Sequence, residues 1–332
     1  MVQFSASQPV RRMEDSRFTT GKGNYTDDMN LDGQAFGYML RSPVAHASIK
    51  SLDCSEALAI SGIVGIVTAL DLEAEGINSI PCLVPMENRD GSQAPMPTRP
   101  VLCEDRVRHV GDNVAFIVAE SLSAAKDAAE LIQIEYSSLD AIVDTGGAMA
   151  SAAPVVHEDA PHNLAFDWGY GDEDATNQAF AVATHNVNLE LINNKLIVNS
   201  MEPRGAIADF DASTGKLSLH SCTQGGWLLK DQIANHTLKT EPDNVRVLTP
   251  DVGGGFGMKT FYYPDGESGV LRTVDAGGDA IDLSNHRLVE TRLLVRREAG
   301  WEPVSYVWND DETKAVLKRT GAVVPLTLEG ED

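Results

Sequence analysis

Residues 252–259, VGGGFGMK, place four glycines around one aromatic, directly after a run that reads as a β-strand. Glycine at this density lets backbone N–H groups approach an anionic ligand closely. Two phosphate motifs fail here. A phosphate loop needs Gly-Lys-Thr, and Met258 separates Gly257 from Lys259; a GxGxxG fingerprint counted from Gly253 needs glycine where Met258 stands. By itself the loop is either a ligand site or a tight bend. Gln224 lies about one helix and one strand before it, at a strand end. Chain return through those elements would bring Gln224 beside Phe256. Its neutral amide offers a donor and an acceptor, which suits an oxo group or a pterin edge; a satisfied N-cap or loop amide is the alternative. Residues 201–204, MEPR, set Glu202 and Arg204 on either side of Pro203, and are expected to form a structural ion pair at a strand end.

Other reactive patterns are missing. The sequence has no HExxH, no GxSxG and no Cys/His nucleophile arrangement. Its four cysteines (Cys54, Cys82, Cys103, Cys222) are far apart and form no CxxC pair, so neither a disulfide framework nor a zinc or iron–sulfur site is encoded. His157 and His162 fall in a stretch rich in Ala, Gly, Pro and Asp and read as loop residues. Asp27-Asp28 and Asp310-Asp311 read as turn and cap residues. With 26 basic against 49 acidic residues the net charge is −23, which argues against nucleic acid and anionic membranes as partners. No run of about 18 apolar residues exists, and no apolar core follows Arg11 and Arg12, so neither a membrane span nor a secretory signal is expected. A reducing, cytoplasmic setting follows.

The elements that must position these residues read as α+β. Strands are expected at 34–40, 63–69, 114–119 and 132–136, the second and third being short apolar runs suited to burial. A helix capped by Ser123 should pack Ala125, Ala128, Ala129 and Ile132 on the sheet. Another short helix starts near 53–58. Residues 144–178 read as an extended linker. Beyond Phe180, strands are expected at 184–191, 195–200, 206–211, 217–221 and 245–249, with turns at Asn193-Asn194 and Ser213-Thr214-Gly215 and one helix around 228–238.

Seven segments, in order, resemble the molybdopterin-binding large subunit of the xanthine dehydrogenase / aldehyde oxidase / carbon monoxide dehydrogenase family. They are RMED at 12–15, TGKGNYTDD at 20–28, RSPVAHA at 41–47, VGDNVA at 110–115, MEPR at 201–204, Thr223-Gln224, and PDVGGGFG at 250–257. The resemblance implies an N-terminal arm over 1–17, an α/β hammerhead domain over 18–140 and a linker over 141–178. A partial first molybdenum-cofactor-binding domain over 179–265 would follow. It implies a molybdenum–molybdopterin cofactor, in the cytosine dinucleotide form, with Gln224 at the molybdenum centre. Gly254, Gly255, Phe256 and Gly257 would pack beside metal and pterin. The implied reaction is oxidoreductase chemistry: hydroxylation of an aldehyde or N-heterocycle carbon, or CO oxidation, with oxygen from water. Iron–sulfur and flavin subunits are the implied partners.

Two departures qualify that expectation. Purine-oxidising members carry glutamate four residues beyond the loop phenylalanine, where this chain has Thr260. The family's large subunit is also more than twice this length, with its catalytic glutamate in the remainder, so no catalytic residue is assigned and the chain is expected to be inactive alone. After KTFYYP at 259–264 the family pattern stops. Residues 266–332 read as two strands, 288–297 and 303–308, joined at Ala299-Gly300, with a short helix after Asn309. They resemble a segment of bacterial secreted proteins, some carrying haem c, which implies a chimeric junction near 259–265. Without CxxCH the tail cannot attach haem. A non-catalytic module that docks redox subunits is the rival reading.

Overall fold

Asn113–Ala119 (NVAFIVA) is buried at every position, as a largely β-branched and apolar run bounded by turn residues requires when both faces of its sheet are covered. The computed structural model describes residues 12–263 except 32, 78, 81, 83, 98, 190 and 192–196, together with the backbone of six short strands beyond 285. Six strands form the first part of the chain: β1 (Phe36–Arg41), β2 (Ala47–Asp53), β3 (Ile63–Val67), β4 (Arg106–Val107), β5 (Asn113–Ala119) and β6 (Gln133–Ser138). β5 pairs antiparallel with β1 and β3, and β2 pairs antiparallel with β4 and β6.

Alternation along β5 divides its side chains between two cores. Phe116 and Val118 join Met39, Val67 and Leu72 on one side. Ala115, Ile117 and Ala119 meet Ala125, Ala128 and Ala129 of the helix Leu122–Leu131 on the other. The alanines allow the helix to settle closely on the sheet. Its cap is Ser121, whose Oγ accepts from the Ala124 N–H at 3.1 Å, and Ser123 lies within the first turn instead of capping it. Ser55–Leu58 forms the other short helix, and Ala69–Ala74 adds a helical turn where the expected strand over 63–69 ends early.

The second part supplies β7 (Gly205–Asp211), β8 (Lys216–Ser221) and β9 (Val245–Leu248). In the turn between β7 and β8 the Asp211 carboxylate accepts from the Ser213 and Thr214 hydroxyls, both at 2.6 Å. Those bonds pull its pKa down to about 2, and Gly215 completes the turn at φ 67°. β10 (His286–Val289) enters the same sheet, parallel to β1 and antiparallel to β7, giving the order β3-β5-β1-β10-β7-β8-β9. Ala206, Ala208, Leu217 and Leu219 share the core of Met39 and Phe116, so the two parts close on one another. Gly226–Asp231 is α-helical and continues as a π-helical turn, Gln232–Thr237, burying Leu229 and Ile233.

Further expectations change between β6 and β7. Residues 184–189, 191 and 197–200 form no strand, and Val187, Leu189 and Leu191 are 88%, 76% and 78% exposed. A half-buried strand needs a neighbour, and both sides of β7 are occupied, by β10 and β8. The Asn193-Asn194 turn lies outside the described residues. Within the expected linker, Glu173–Val182 is helical, capped by the Asp172 carboxylate accepting from the Ala175 N–H at 2.8 Å. The remainder of that stretch, with His157 and His162, carries only the 3-10 turn Pro161–Asn163.

Residues Glu290–Asp332 form a separate unit. There β11 (Leu294–Arg297) pairs antiparallel with β12 (Gly300–Pro303), while β13 (Tyr306–Trp308), β14 (Lys314–Leu317) and β15 (Val323–Pro325) make a three-stranded antiparallel sheet. Of the strand expected over 288–297, residues 288–289 lie in β10 and 294–297 in β11, and 290–293 lie outside the described residues. Of the stretch after Asn309 where a helix is expected, the described residues 314–317 form β14, which has pairing partners on both sides; residues 309–313 lie outside the described residues.

Candidate functional site

β9 delivers the chain to Asp251, where the glycine loop begins. The Asp251 carboxylate is held by Arg17, with Nη2 to Oδ1 at 2.8 Å, and by the Asn24 N–H at 2.7 Å. The Arg17 hydrogen bond, first among the causes, keeps this carboxyl below the usual aspartate range. The loop entrance is thereby fixed to the N-terminal segment.

Glu202 fixes the next residue. Its Oε2 accepts from the Gly253 N–H at 2.7 Å and from the Lys259 ammonium at 2.9 Å, and its Oε1 accepts from the Thr26 N–H at 3.3 Å. Lys259 is fully buried. The partner of Glu202 is therefore Lys259, not Arg204 as sequence proximity suggested; Arg204 lies over the Tyr263 ring, 4.1 Å from its centroid. Gly253 has no alternative here, since a Cβ would fall 2.4 Å from the Cβ of Glu202.

The structure brings Gln224 to the loop. Its Oε1 accepts from the Gly257 and Lys259 N–H groups at 2.9 and 3.2 Å. Its own N–H donates to the Lys259 carbonyl at 2.9 Å, and the Thr223 hydroxyl reaches the same carbonyl at 3.1 Å. With the oxygen occupied twice, the amide orientation is set and the NH2 group is the free end. A Cβ on Gly255 would lie 2.4 Å from Gln224 Oε1, so glycine is what permits this approach. Gly254 and Gly257 have φ of 99° and 85°, and Phe256, three-quarters exposed, has φ 51°. Gln224 precedes Gly225, the residue that caps the helix Gly226–Asp231.

Among the described residues, the N–H groups of Gly254, Gly255 and Phe256 and the NH2 of Gln224 meet no acceptor. This is a local excess of backbone and amide donors, suited to oxygen atoms bearing negative charge. No group of three or more His, Cys, Asp or Glu positioned for a metal ion occurs among the described residues. The sequence pointed to Gln224 and the glycine loop. It missed the buried Lys259–Glu202 pair, whose members are 57 positions apart, and the Arg17–Asp251 clasp, 234 apart.

A hammerhead-like α+β unit followed by a sheet that ends in a glycine loop defines the class of protein. Residues 20–140 match the family description "Aldehyde oxidase and xanthine dehydrogenase, a/b hammerhead domain", and residues 156–271 match "Molybdopterin cofactor-binding domain". The carbon monoxide dehydrogenase large chain of Afipia carboxidovorans is 32% identical over 280 residues, covering 80% of this chain and 33% of that protein. The nicotine 6-hydroxylase large subunit of Paenarthrobacter nicotinovorans is 34% identical, covering 77% of this chain and 30% of its own. The crystal structure of quinoline 2-oxidoreductase from Pseudomonas putida 86 superposes with a TM-score of 0.71 at 32% identity, covering 85% of this chain and 34% of that one. Across residues 20–271 the chain belongs to the xanthine dehydrogenase / aldehyde oxidase / carbon monoxide dehydrogenase family of molybdopterin-binding large subunits. It spans about a third of the length of the relatives it matches.

Proposed function

We infer that this chain supplies one wall of a molybdopterin site in an oxidoreductase of the molybdenum hydroxylase type. The observation that carries the reading is the clamped Gln224 amide, its oxygen held by Gly257 and Lys259 and its NH2 left free beside the unpaired N–H groups of residues 254–256. Gln224, Gly254, Gly255, Phe256 and Gly257 would hold the cofactor, in its cytosine dinucleotide form. When bound, that group supplies two-electron oxidation of a carbon centre with oxygen taken from water. The chain's own part is to bind and orient: Gln224 donates one hydrogen bond of fixed direction, and Phe256 presents an exposed ring beside it.

Thr260 offers a hydroxyl where a carboxylate would be needed to hold a purine, so an aldehyde, a simpler N-heterocycle or CO is the favoured substrate class. Iron–sulfur and flavin subunits would carry electrons away, in a cytoplasmic complex. Among the described residues no helix is long and apolar enough to cross a membrane. Burying a pterin requires walls on all sides, and the chain spans a third of its relatives; turnover by it alone is not expected.

The test is expression in a host that makes the cofactor, followed by assay of molybdenum and of the fluorescent pterin released on oxidation. The unaltered chain should retain pterin that Gln224→Leu loses. Equal pterin content in the two would overturn the assignment of Gln224.

A further inference from the structure

The stretch 166–182, FDWGYGDEDATNQAFAV, holds four carboxylates, Asp167, Asp172, Glu173 and Asp174, and no lysine or arginine. Trp168 and Tyr170 stack with ring centroids 6.2 Å apart and planes 11° from parallel, and they are 59% and 94% exposed. Phe166, Phe180 and Val182 are exposed as well. The helix Glu173–Val182 buries none of its residues, whereas Leu122–Leu131, of the same length, buries three alanines. A helix of ten residues has little stability of its own in water and relies on the packing of one face. Exposed apolar side chains gathered in this way mark interaction sites.

Arg89 shows what this acidic, aromatic strip receives. Its guanidinium donates from Nε and Nη2 to the two oxygens of Asp167, each at 3.0 Å, and its Nη1 lies 3.5 Å from a Glu173 oxygen. Its stem runs against the backbone between the two rings, where a Cβ on Gly169 would fall 2.6 Å from Arg89 Cδ. Backbone bonds anchor the strip: the Arg89 N–H donates to the Asp167 carbonyl at 2.8 Å, and the Asp167 N–H donates to the Asn88 side chain at 2.9 Å. Asp174 and both rings remain exposed.

We propose that residues 166–182 form a docking surface for a partner protein that presents arginines beside an apolar face. A guanidinium stacks on Trp and Tyr rings and pairs with carboxylates, whereas a lysine ammonium is a compact, strongly hydrated charge. Apolar side chains of the partner would cover Phe180 and Val182. A second copy of this chain is disfavoured, because each carries a net charge of −23 and a two-fold contact would set the same carboxylates against one another. Anionic lipid is disfavoured on the same electrostatic ground.

The probe is a fluorescein-labelled, end-capped peptide of arginine and leucine in amphipathic helical order, about four turns long. It is titrated with the full chain in ~0.15 M salt, which screens long-range attraction, and binding is read by fluorescence anisotropy. Trp168→Ala/Tyr170→Ala and Glu173→Gln/Asp174→Asn should each weaken binding about tenfold. Glu56→Gln/Glu130→Gln, which removes two exposed carboxylates elsewhere on the chain, should change it by less than about twofold. The bound peptide should slow amide exchange across Glu173–Val182, and the same peptide with lysine for arginine should bind more weakly. Equal weakening by Glu56→Gln/Glu130→Gln overturns the proposal in favour of attraction to the overall charge. Unchanged exchange across Glu173–Val182, or equal binding of the lysine peptide, also overturns it. Dimerisation of the chain alone that Trp168→Ala/Tyr170→Ala abolishes overturns it in favour of a second copy. Should the aromatic double variant fail to fold, the peptide pair and the exchange measurement on the unaltered chain still decide.

Discussion

The Lys259 ammonium lies 2.9 Å from Glu202 Oε2 with the lysine side chain fully buried, while the backbone of the same lysine is bonded to Gln224 on both its N–H and its carbonyl. One residue thus joins the buried ion pair to the amide that faces the loop. Removing one partner of such a pair leaves an uncompensated charge, which costs more than the pair itself contributes. Lys259→Met should lower unfolding stability by about 3 kcal/mol. The double variant Lys259→Met/Glu202→Gln should recover more than half of that loss. Urea denaturation of the two variants checks this, and a double variant no more stable than the single one would show that the charge is not the cause.

Gly255 and Gly257 should respond differently to the same change. A Cβ at Gly255 meets Gln224 Oε1 at 2.4 Å, whereas at Gly257 it meets nothing within 4 Å but the backbone has φ 85°. Gly257→Ala should cost about 1 kcal/mol through backbone strain and leave Gln224 in place. Gly255→Ala should move the Gln224 amide. The 15N-resolved resonance of the Gln224 NH2 separates the outcomes, shifting strongly in the first glycine's variant and little in the second's.

These contacts show what local sequence can and cannot convey. β5 and its alanine-faced helix were legible because their signals, a buried apolar run and i, i+3, i+4 spacing, lie within twenty residues. Gln224 and the glycine loop were legible as residue types, and their meeting depended on a helix and a strand folding between them. The Lys259–Glu202 pair had no local signal. Residues 184–191 failed for the opposite reason: the alternation of Val187, Leu189 and Leu191 is a strand signal, but a strand forms only where a sheet edge is open to it, and β10, from beyond position 285, lies beside β7. Helix Glu173–Val182 was missed because its apolar residues gather at its C-terminal end and none is buried, leaving the Asp172 cap as its main signal.

His220 lends the second part a pH dependence. It sits in β8 opposite Ile207 of β7 and Leu248 of β9, and burial, the leading cause, lowers its pKa below 6.5; Arg246 lowers it further and Asp209 raises it. A histidine held neutral by folding takes up its proton more readily when unfolded, so stability is full above pH 6.5 and falls as pH drops through the folded value. Half-buried His157, its pKa lowered chiefly by partial desolvation, adds in the same direction. Stability measured by urea should decline from pH 7 towards pH 5, before the carboxylates protonate, and His220→Gln should flatten that slope. An unchanged slope in the variant removes His220 as its source.

Val187 and Leu189 present large apolar surface to water in a segment whose alternating pattern suits intermolecular strand pairing. Nothing in the fold depends on them: both are more than three-quarters exposed and neither belongs to a core cluster. Val187→Lys together with Leu189→Lys should therefore leave unfolding stability within about 0.5 kcal/mol. The same pair places two like charges on the strand-forming face, which repels a second copy and also moves the net charge from −23 towards zero. The two effects oppose each other, and the local one acts at the contact itself, so aggregation on concentration should fall. Light scattering at matched concentration checks it; Ser substitutions at both positions, which keep the net charge, should reduce scattering as well, and an effect confined to lysine would assign the change to charge and not to the lost apolar strip.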